Sequence, residues 1–375
     1  MRIWMRRGLA AVLVMALLCG GSTAFAMETV PAETPETAVT ETVPEVTAPP
    51  ETEAPTEAPA EAPTEAPTEA ATEAPAEAPA EAPTEPEVLL KREYTVDTES
   101  EIYQLCDALS EGMVFDQLLV YDATNDEILY TNTREGSKLY PASITKLYSA
   151  YVALRYLDPK DILTVGDEVK LIEEGSSVAY LGSGQQAYVQ TVVEGMMLPS
   201  GNDAAKVLAV AAGRKIAGDE SLSPEDAQRV FVHEMNRMAK ELGFEKSHFS
   251  NPEGWHSGSH YTCLSDMARI AKLALDNKTI SRYIRVFEAE VNLLSGHQLN
   301  WKNTNSLLDP ESGYYRGDAI GMKTGYTRPA EYCLMSAFRC NDGRKLVIGV
   351  FGYADGNQRY RDVIKIAKEC KELMK

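Results

Sequence analysis

Apolar and polar residues alternate in short runs toward both ends of the last three quarters of this chain and recur at helical spacing in between. Gln117-Leu-Leu-Val-Tyr-Asp122 and Glu127-Ile-Leu-Tyr-Thr131 read as two strands, joined as a hairpin by Ala123-Thr-Asn-Asp126. From Ile144 the period changes, with Leu147, Tyr148, Tyr151 and Val152 forming a helical stripe over 144–157 that must stop before Pro159. Two further helices are expected over 188–198 and 203–212, hinged at Pro199-Ser200-Gly201. Another helix carries clear punctuation, with Ser223 as N-cap, Pro224 in the first turn and Gly243 just past its end. Residues 265–276 give one more. Strands return at 319–324, 331–339 and 345–353, the last two joined by the turn Asn341-Asp342-Gly343, and a helix over 360–374 closes the chain. Strands at both ends around a helical middle predict an α/β domain built from the two ends, with a mostly helical insertion at about 160–290. In the last helix Val363, Ile366, Ala367, Cys370, Leu373 and Met374 share one stripe. Packing on the sheet accounts for that stripe, with membrane association as the alternative.

The first 92 residues follow different rules. Arg2, Arg6 and Arg7 precede an apolar run ending at Leu18, and Ala24-Phe25-Ala26 supplies a small-x-small cleavage site, so 1–26 reads as an export signal. The run is shorter than the roughly 18 to 20 apolar residues that span a bilayer. Residues 27–92 read as a disordered linker, whose stretch to Glu87 holds 13 of the 20 prolines and 16 acids with no Lys or Arg. Stiff and self-repelling, it could reach on the order of 150 to 190 Å at about 3.1 Å per residue. The folded domain is expected over 93–375. Of the formal charge of −20, the signal carries three positive charges and the linker sixteen negative ones, leaving −7 from Val88 onward. A mildly acidic domain lacks the basic footprint of a nucleic-acid binder.

Cysteine and histidine add little. Beyond the signal stand Cys106, Cys263, Cys333, Cys340 and Cys370, an odd number with no disulfide framework, and Cys333 and Cys340 should face opposite sides of their strand. His233, His248, His256, His260 and His297 match no zinc spacing, so no metal and no cofactor is expected. Nothing in the sequence specifies an oligomeric state.

Three short motifs carry the chemistry. Ser143-Ile-Thr-Lys146 sets a hydroxyl and an amine three apart at a helix start, about 5 to 6 Å between their Cβ atoms. Serine needs a neighbour to take its proton, and lysine can do so only when neutral. At a reference pKa of about 10.4, on the order of one lysine in a thousand is neutral at pH 7, so the site must depress Lys146. Burial would do this, and so would a second cation, for which Lys323 is the candidate. Ser200-Gly-Asn202 offers a hydroxyl to relay a proton and an amide to hold a peptide group. In Lys323-Thr-Gly325 an amine and a hydroxyl suit a terminal carboxylate, and Gly325 removes a side chain that would block an incoming backbone. A serine and lysine at this spacing arise about once by chance in such a chain, so the argument rests on all three motifs in order.

With Pro141-Ala-Ser-Ile-Thr-Lys146, Leu198-Pro-Ser-Gly-Asn-Asp-Ala-Ala205, Asn303-Thr-Asn305 and Gly321-Met-Lys-Thr-Gly-Tyr-Thr327 together, the chain resembles the low-molecular-weight penicillin-binding proteins, the serine-type D-alanyl-D-alanine carboxypeptidases (peptidase S11). The resemblance implies a β-lactamase/transpeptidase-like antiparallel sheet flanked by helices, with the helical sub-domain inserted between its strands. It further implies that Ser143 is acylated by the penultimate D-alanine of a peptidoglycan stem peptide, with Lys146 as base assisted by Ser200 and Asn202. Backbone N–H groups of Ser143 and Tyr326 would form the oxyanion hole, and Lys323 and Thr324 would bind the carboxylate. β-Lactams should acylate the same serine, and the enzyme would work outside the cytoplasm in the cell envelope. Where the family has Ala-Gly after the third motif this chain has Ala330-Glu331, and only 50 residues follow Gly325, so the stalk and membrane-binding helix of many relatives are not expected. Two alternatives share the fold. A β-lactamase needs a deacylating carboxylate, and no Glu-x-x-x-Asn lies between Ser143 and Ser200. A non-catalytic wall-binding protein would have lost Ser143 or Lys146.

Overall fold

The two β-rich ends of the sequence meet in one antiparallel sheet. The computed structural model describes residues 93–133, 137–244 and 246–375, so the export signal and linker expected over 1–92 lie outside the described residues. In chain order it contains α1 (Glu101–Ser110), β1 (Gln117–Asp122), β2 (Glu127–Thr131), α2 (Thr145–Ala153), β3 (Ile162–Thr164), β4 (Gln186–Tyr188), α3 (Val189–Met197), α4 (Asn202–Ala217), α5 (Pro224–Glu241), α6 (Leu264–Asp276), α7 (Lys278–Tyr283), β5 (Glu288–Asn292), β6 (Gln298–Lys302), β7 (Ala319–Thr327), β8 (Glu331–Arg339), β9 (Lys345–Tyr353) and α8 (Gln358–Leu373). The main sheet runs β2-β1-β9-β8-β7, antiparallel throughout. Between β2 and β7 the chain leaves it to build α2 to α7 and two small hairpins, β3–β4 and β5–β6. This is the flanked antiparallel sheet with a helical insertion that the motifs imply.

Side chains that alternate along the strands fill two separate cores. Leu118, Val120, Leu334, Phe338, Leu346, Ile348 and Val350 face α1 and α8, whereas Leu119, Tyr121, Met335, Ala337, Val347 and Phe351 face the insertion. Cys333 and Cys340 fall in different cores, as their spacing requires. Val363, Ile366, Ala367, Cys370 and Met374 bury against the sheet, but Leu373, which shares their stripe in sequence, is 45% exposed. Cys106 of α1 and Cys370 of α8 meet with their sulfurs 3.4 Å apart, unbonded. Among the described residues no helix is long and apolar enough to cross a membrane.

On the other face α2 is the centre. Eight of its nine residues are buried, with α3, α4, α5, α6 and α7 around it. A helix enclosed on all sides has no polar face to spare, so a charged residue within it must find partners inside the protein. The helix ends at Ala153 rather than Leu157, because Arg155 and Tyr156 bond back three residues instead of four and tighten the last turn.

Truncating Phe338 to alanine should cost about 3 to 5 kcal/mol, since it empties the outer core. Leu373→Ala should stay within about 0.5 kcal/mol, and urea titration of the two variants measures the contrast.

Candidate active site

A 3-10 turn over Ala142–Ile144 hands the chain into α2 and sets Ser143 directly beside Lys146. Ala142 enters this turn with φ of 48°, a left-handed conformation that costs an L-residue about 1 to 2 kcal/mol. Lys146 is fully buried, and its Nζ lies 2.9 Å from Ser143 Oγ, 2.8 Å from Asn202 Oδ1 and 2.9 Å from the Glu253 carbonyl oxygen. Two of these partners can only accept, while the serine hydroxyl can also donate. A neutral amine has two N–H bonds and one lone pair. In that form it can give both N–H bonds to the fixed acceptors and turn the lone pair on the Ser143 hydroxyl, whereas the ammonium donates to all three oxygens.

Burial drives the Lys146 pKa down to about 7, with Glu253 and Asp203 raising it and Lys206 lowering it. Lys206 is thus a cation that assists burial, and the sequence alone does not single it out. The two motif lysines repel each other, and burial, Lys146 and Arg359 together hold the Lys323 pKa well below the ordinary lysine value.

Ser200 occupies the hinge between α3 and α4 with φ of 62°, and its hydroxyl has no partner among the described residues. Asn202 opens α4. Its amide is engaged at both ends, since Oδ1 accepts from Lys146 and Nδ2 donates to Ser176 Oγ at 2.8 Å. Asp203 accepts from the backbone N–H groups of Ala179, Leu181 and Ala204, which ties the helix start to the 176–181 loop.

From the sheet side β7 brings Lys323, Thr324, Gly325 and Tyr326. A Cβ on Gly325 would lie 2.9 Å from Pro141 O and 3.3 Å from Ser143 N. The missing side chain thus admits the turn that carries Ser143. It also brings the Ser143 N–H against the strand that carries Tyr326. Thr324 bonds Thr304 through their hydroxyls, which gives the Asn303-Thr-Asn305 motif its place at the site.

Sequence reasoning missed the 251–255 loop and Arg359. Gly254, at φ of 86°, lets this loop press on the nucleophile turn, where a Cβ would overlap the Ala142 carbonyl. Asn251 Oδ1 accepts from the Gly254 and Trp255 N–H groups and fixes the bend. Below it His260 takes a hydrogen bond from Ser250 N at Nδ1, so its Nε2–H is left to donate to Thr145 Oγ1 at 2.8 Å. Arg359 on α8 donates to Cys333 O and Tyr360 Oη, and its buried Nε has no partner among the described residues. An Asn-Pro-x-Gly turn signal marked the loop, but no local pattern assigns a residue of the last helix to the cleft.

Ser143, Ser200, Asn202, Thr324, Gly325, Tyr326 and Arg359 line one cleft of about 230 Å³, with Lys146 and Lys323 buried behind it. A family model of D-alanyl-D-alanine carboxypeptidases, peptidase S11, matches residues 113–354. The chain belongs to this carboxypeptidase family. The D-alanyl-D-alanine carboxypeptidase DacF of Bacillus subtilis is 32% identical over 244 residues, which cover 64% of this chain and 58% of DacF. A D-alanyl-D-alanine carboxypeptidase of a Streptomyces strain is 33% identical over 232 residues, 59% of this chain and 74% of that one. The solved structure of an alanine variant of a Streptomyces DD-transpeptidase superposes with a TM-score of 0.61 at 26% identity, over 69% of this chain and 98% of that one. The chain therefore spans little more than half the length of DacF, and the S11 peptidase match falls on the sheet and its insertion together.

Because the neutral form of Lys146 is the one that can take a proton, acylation of Ser143 should speed up as pH rises through about 7 and level off above it. Stopped-flow acylation by a chromogenic β-lactam between pH 5 and 9 measures that limb.

Proposed function

We propose that this protein is a serine D-alanyl-D-alanine carboxypeptidase that removes the terminal D-alanine from peptidoglycan stem peptides. The observation that carries the reading is the Lys146 amine held by two fixed acceptors with its third position on the Ser143 hydroxyl. Ser143 Oγ bonds to the penultimate D-alanine carbonyl carbon as its proton passes to Lys146 Nζ. Backbone N–H groups of Ser143 and Tyr326 hold the developing oxyanion, a contribution of about 3 to 4 kcal/mol for a donor of this kind. The carbon–nitrogen bond then breaks, and the proton travels from Lys146 through the Ser200 hydroxyl to the departing D-alanine nitrogen. Water adds to the ester carbonyl in the second half. Its proton returns to Ser143 Oγ, and the shortened peptide leaves as a carboxylate.

Substrate holding falls to the sheet side. Thr324 and Lys323 receive the terminal carboxylate, and the Arg359 guanidinium adds a second cationic group on the same side. Asn202 holds Lys146 through Oδ1 and, with one Nδ2–H given to Ser176, keeps the second for the substrate's peptide group. The domain organisation follows the sequence reading, with an export signal over 1–26, a linker over 27–92 and the catalytic domain over 93–375. β-Lactams would enter as carboxylate-bearing mimics of the substrate and acylate Ser143.

Purified protein incubated with a pentapeptide ending in two D-alanines should release one D-alanine per peptide and take up one equivalent of labelled penicillin. Ser143→Ala should abolish both. Rapid destruction of penicillin without peptide trimming would instead identify a β-lactamase.

A further inference from the structure

Behind the nucleophile lies an ion pair that none of the three motifs contains. Lys206 Nζ sits 3.0 Å from Glu253 Oε1, with side chains only 6% and 3% exposed. Among the described residues Glu253 Oε2 is buried without a hydrogen-bond partner. Both residues reach Lys146 by separate routes. Glu253 offers it the backbone carbonyl at 2.9 Å, and Lys206 stands one helical turn beyond Asn202, whose Oδ1 is 2.8 Å from the same amine. A buried pair of this kind is weak evidence for stability, because desolvation offsets much of the attraction. Its position suggests a different use.

We propose that the Lys206–Glu253 pair is a positioning element for Lys146, in which Lys206 neutralises Glu253 and so prevents that carboxylate from becoming the counter-ion of the Lys146 amine. The inference rests on Lys146 acting as the base. If Glu253 stood alone it would attract a proton onto Lys146 and leave the lone pair occupied, while its carbonyl would lose the anchor that keeps it aimed at Nζ. With Lys206 in place the two charges cancel, and only the carbonyl dipole reaches the amine. The directions of influence agree, Glu253 raising and Lys206 lowering the Lys146 pKa. Other charged groups also face Lys146. Asp203 on α4 raises its pKa, but its oxygens are occupied by three backbone N–H groups. Lys323 on β7 faces it from the sheet. His260, pressed down to about 3 by burial, by His248 and His256 and by Lys146 itself, stays uncharged at neutral pH. Lys206 is therefore the cation positioned to set the balance.

The test reads the charge of Lys146 directly. Protein labelled with carbon-13 at the lysine ε position is titrated by NMR, the Lys146 signal being the one lost in Lys146→Ala. In Lys206→Met the midpoint should rise by about one pH unit, and in Glu253→Gln it should fall by a similar amount. The double variant Lys206→Met/Glu253→Gln should return to within about 0.3 unit of the parent, because the removed charges cancel. Penicillin acylation at pH 6 should then slow about tenfold in Lys206→Met alone. An unchanged or lower midpoint in Lys206→Met overturns the proposal. Should that variant lose the native spectrum, Glu253→Gln decides, and a midpoint that fails to fall overturns it equally. Midpoints that move as expected in a protein that takes up no penicillin would uphold the ion pair and refute the carboxypeptidase reading instead.

Discussion

A lysine amine enclosed in a protein interior loses the water that stabilises its charge, and as an ion this costs several kcal/mol unless the surroundings replace that water. The arrangement around Lys146 follows from that constraint. Because α2 is buried on nearly every side, the amine has no route to solvent, and three oxygens from three separate segments meet it instead. These are the serine one turn earlier, the first residue of α4 and a carbonyl from the 251–255 loop. Each supplying element is itself pinned. Asp203 ties the start of α4 to a neighbouring loop, and Asn251 bends the carbonyl-bearing segment back on itself. The same desolvation that makes the lysine awkward to bury makes it a usable base, so one physical effect underlies both the packing and the chemistry.

The sheet contributes by bringing the remaining groups to this amine from the opposite side. β7 ends the strand order, and its face is pressed so closely against the nucleophile turn that a side chain at Gly325 would not fit. Ala142 and Ser200 adopt left-handed backbone at the two places where a helix must start on the cleft. Strain of that kind, about 1 to 3 kcal/mol at each position, persists only where the surrounding structure leaves no alternative. Here the alternative would withdraw Ser143 from Lys146 or Ser200 from the cleft wall.

Much of this was legible in the sequence because local patterns control it. Alternation gave β1, β2, β8 and β9 with their approximate ends, and the Ser223-Pro224 cap gave α5. The spacing in Ser143-Ile-Thr-Lys146 gave the hydroxyl and amine that the site brings into contact. The three-residue strands β3 and β4 are too short to show a period, and the β5–β6 hairpin lies at and beyond the end of the stretch that reads as a helical insertion. α1 is not marked by the pattern although Ser100 caps it, since its inner face is Ile102, Tyr103, Cys106 and Leu109 within fewer than three turns. At the site, sequence supplied residue types but not their electrostatic neighbours. Membership of a motif points to Lys323 as a cation near Lys146, whereas nothing in the sequence marks Lys206, which reads as an ordinary polar position on a helix. Which charge lies beside which depends on the crossing of α2, α4 and the 251–255 loop, and no periodicity encodes that.

The depressed basicity of Lys323 has a thermodynamic corollary. An ammonium group that burial inclines to shed its proton in the empty cleft will recover one when an anion is seated against it, so docking of a carboxylate draws hydrogen ions out of the buffer. Affinity for an anionic end group should then weaken as the medium becomes alkaline, while Lys146 asks for the reverse condition before it can accept from the serine. Two amines buried behind a single cleft thus respond to alkali in opposite senses, one losing its hold on an anion and the other gaining the capacity to accept a proton.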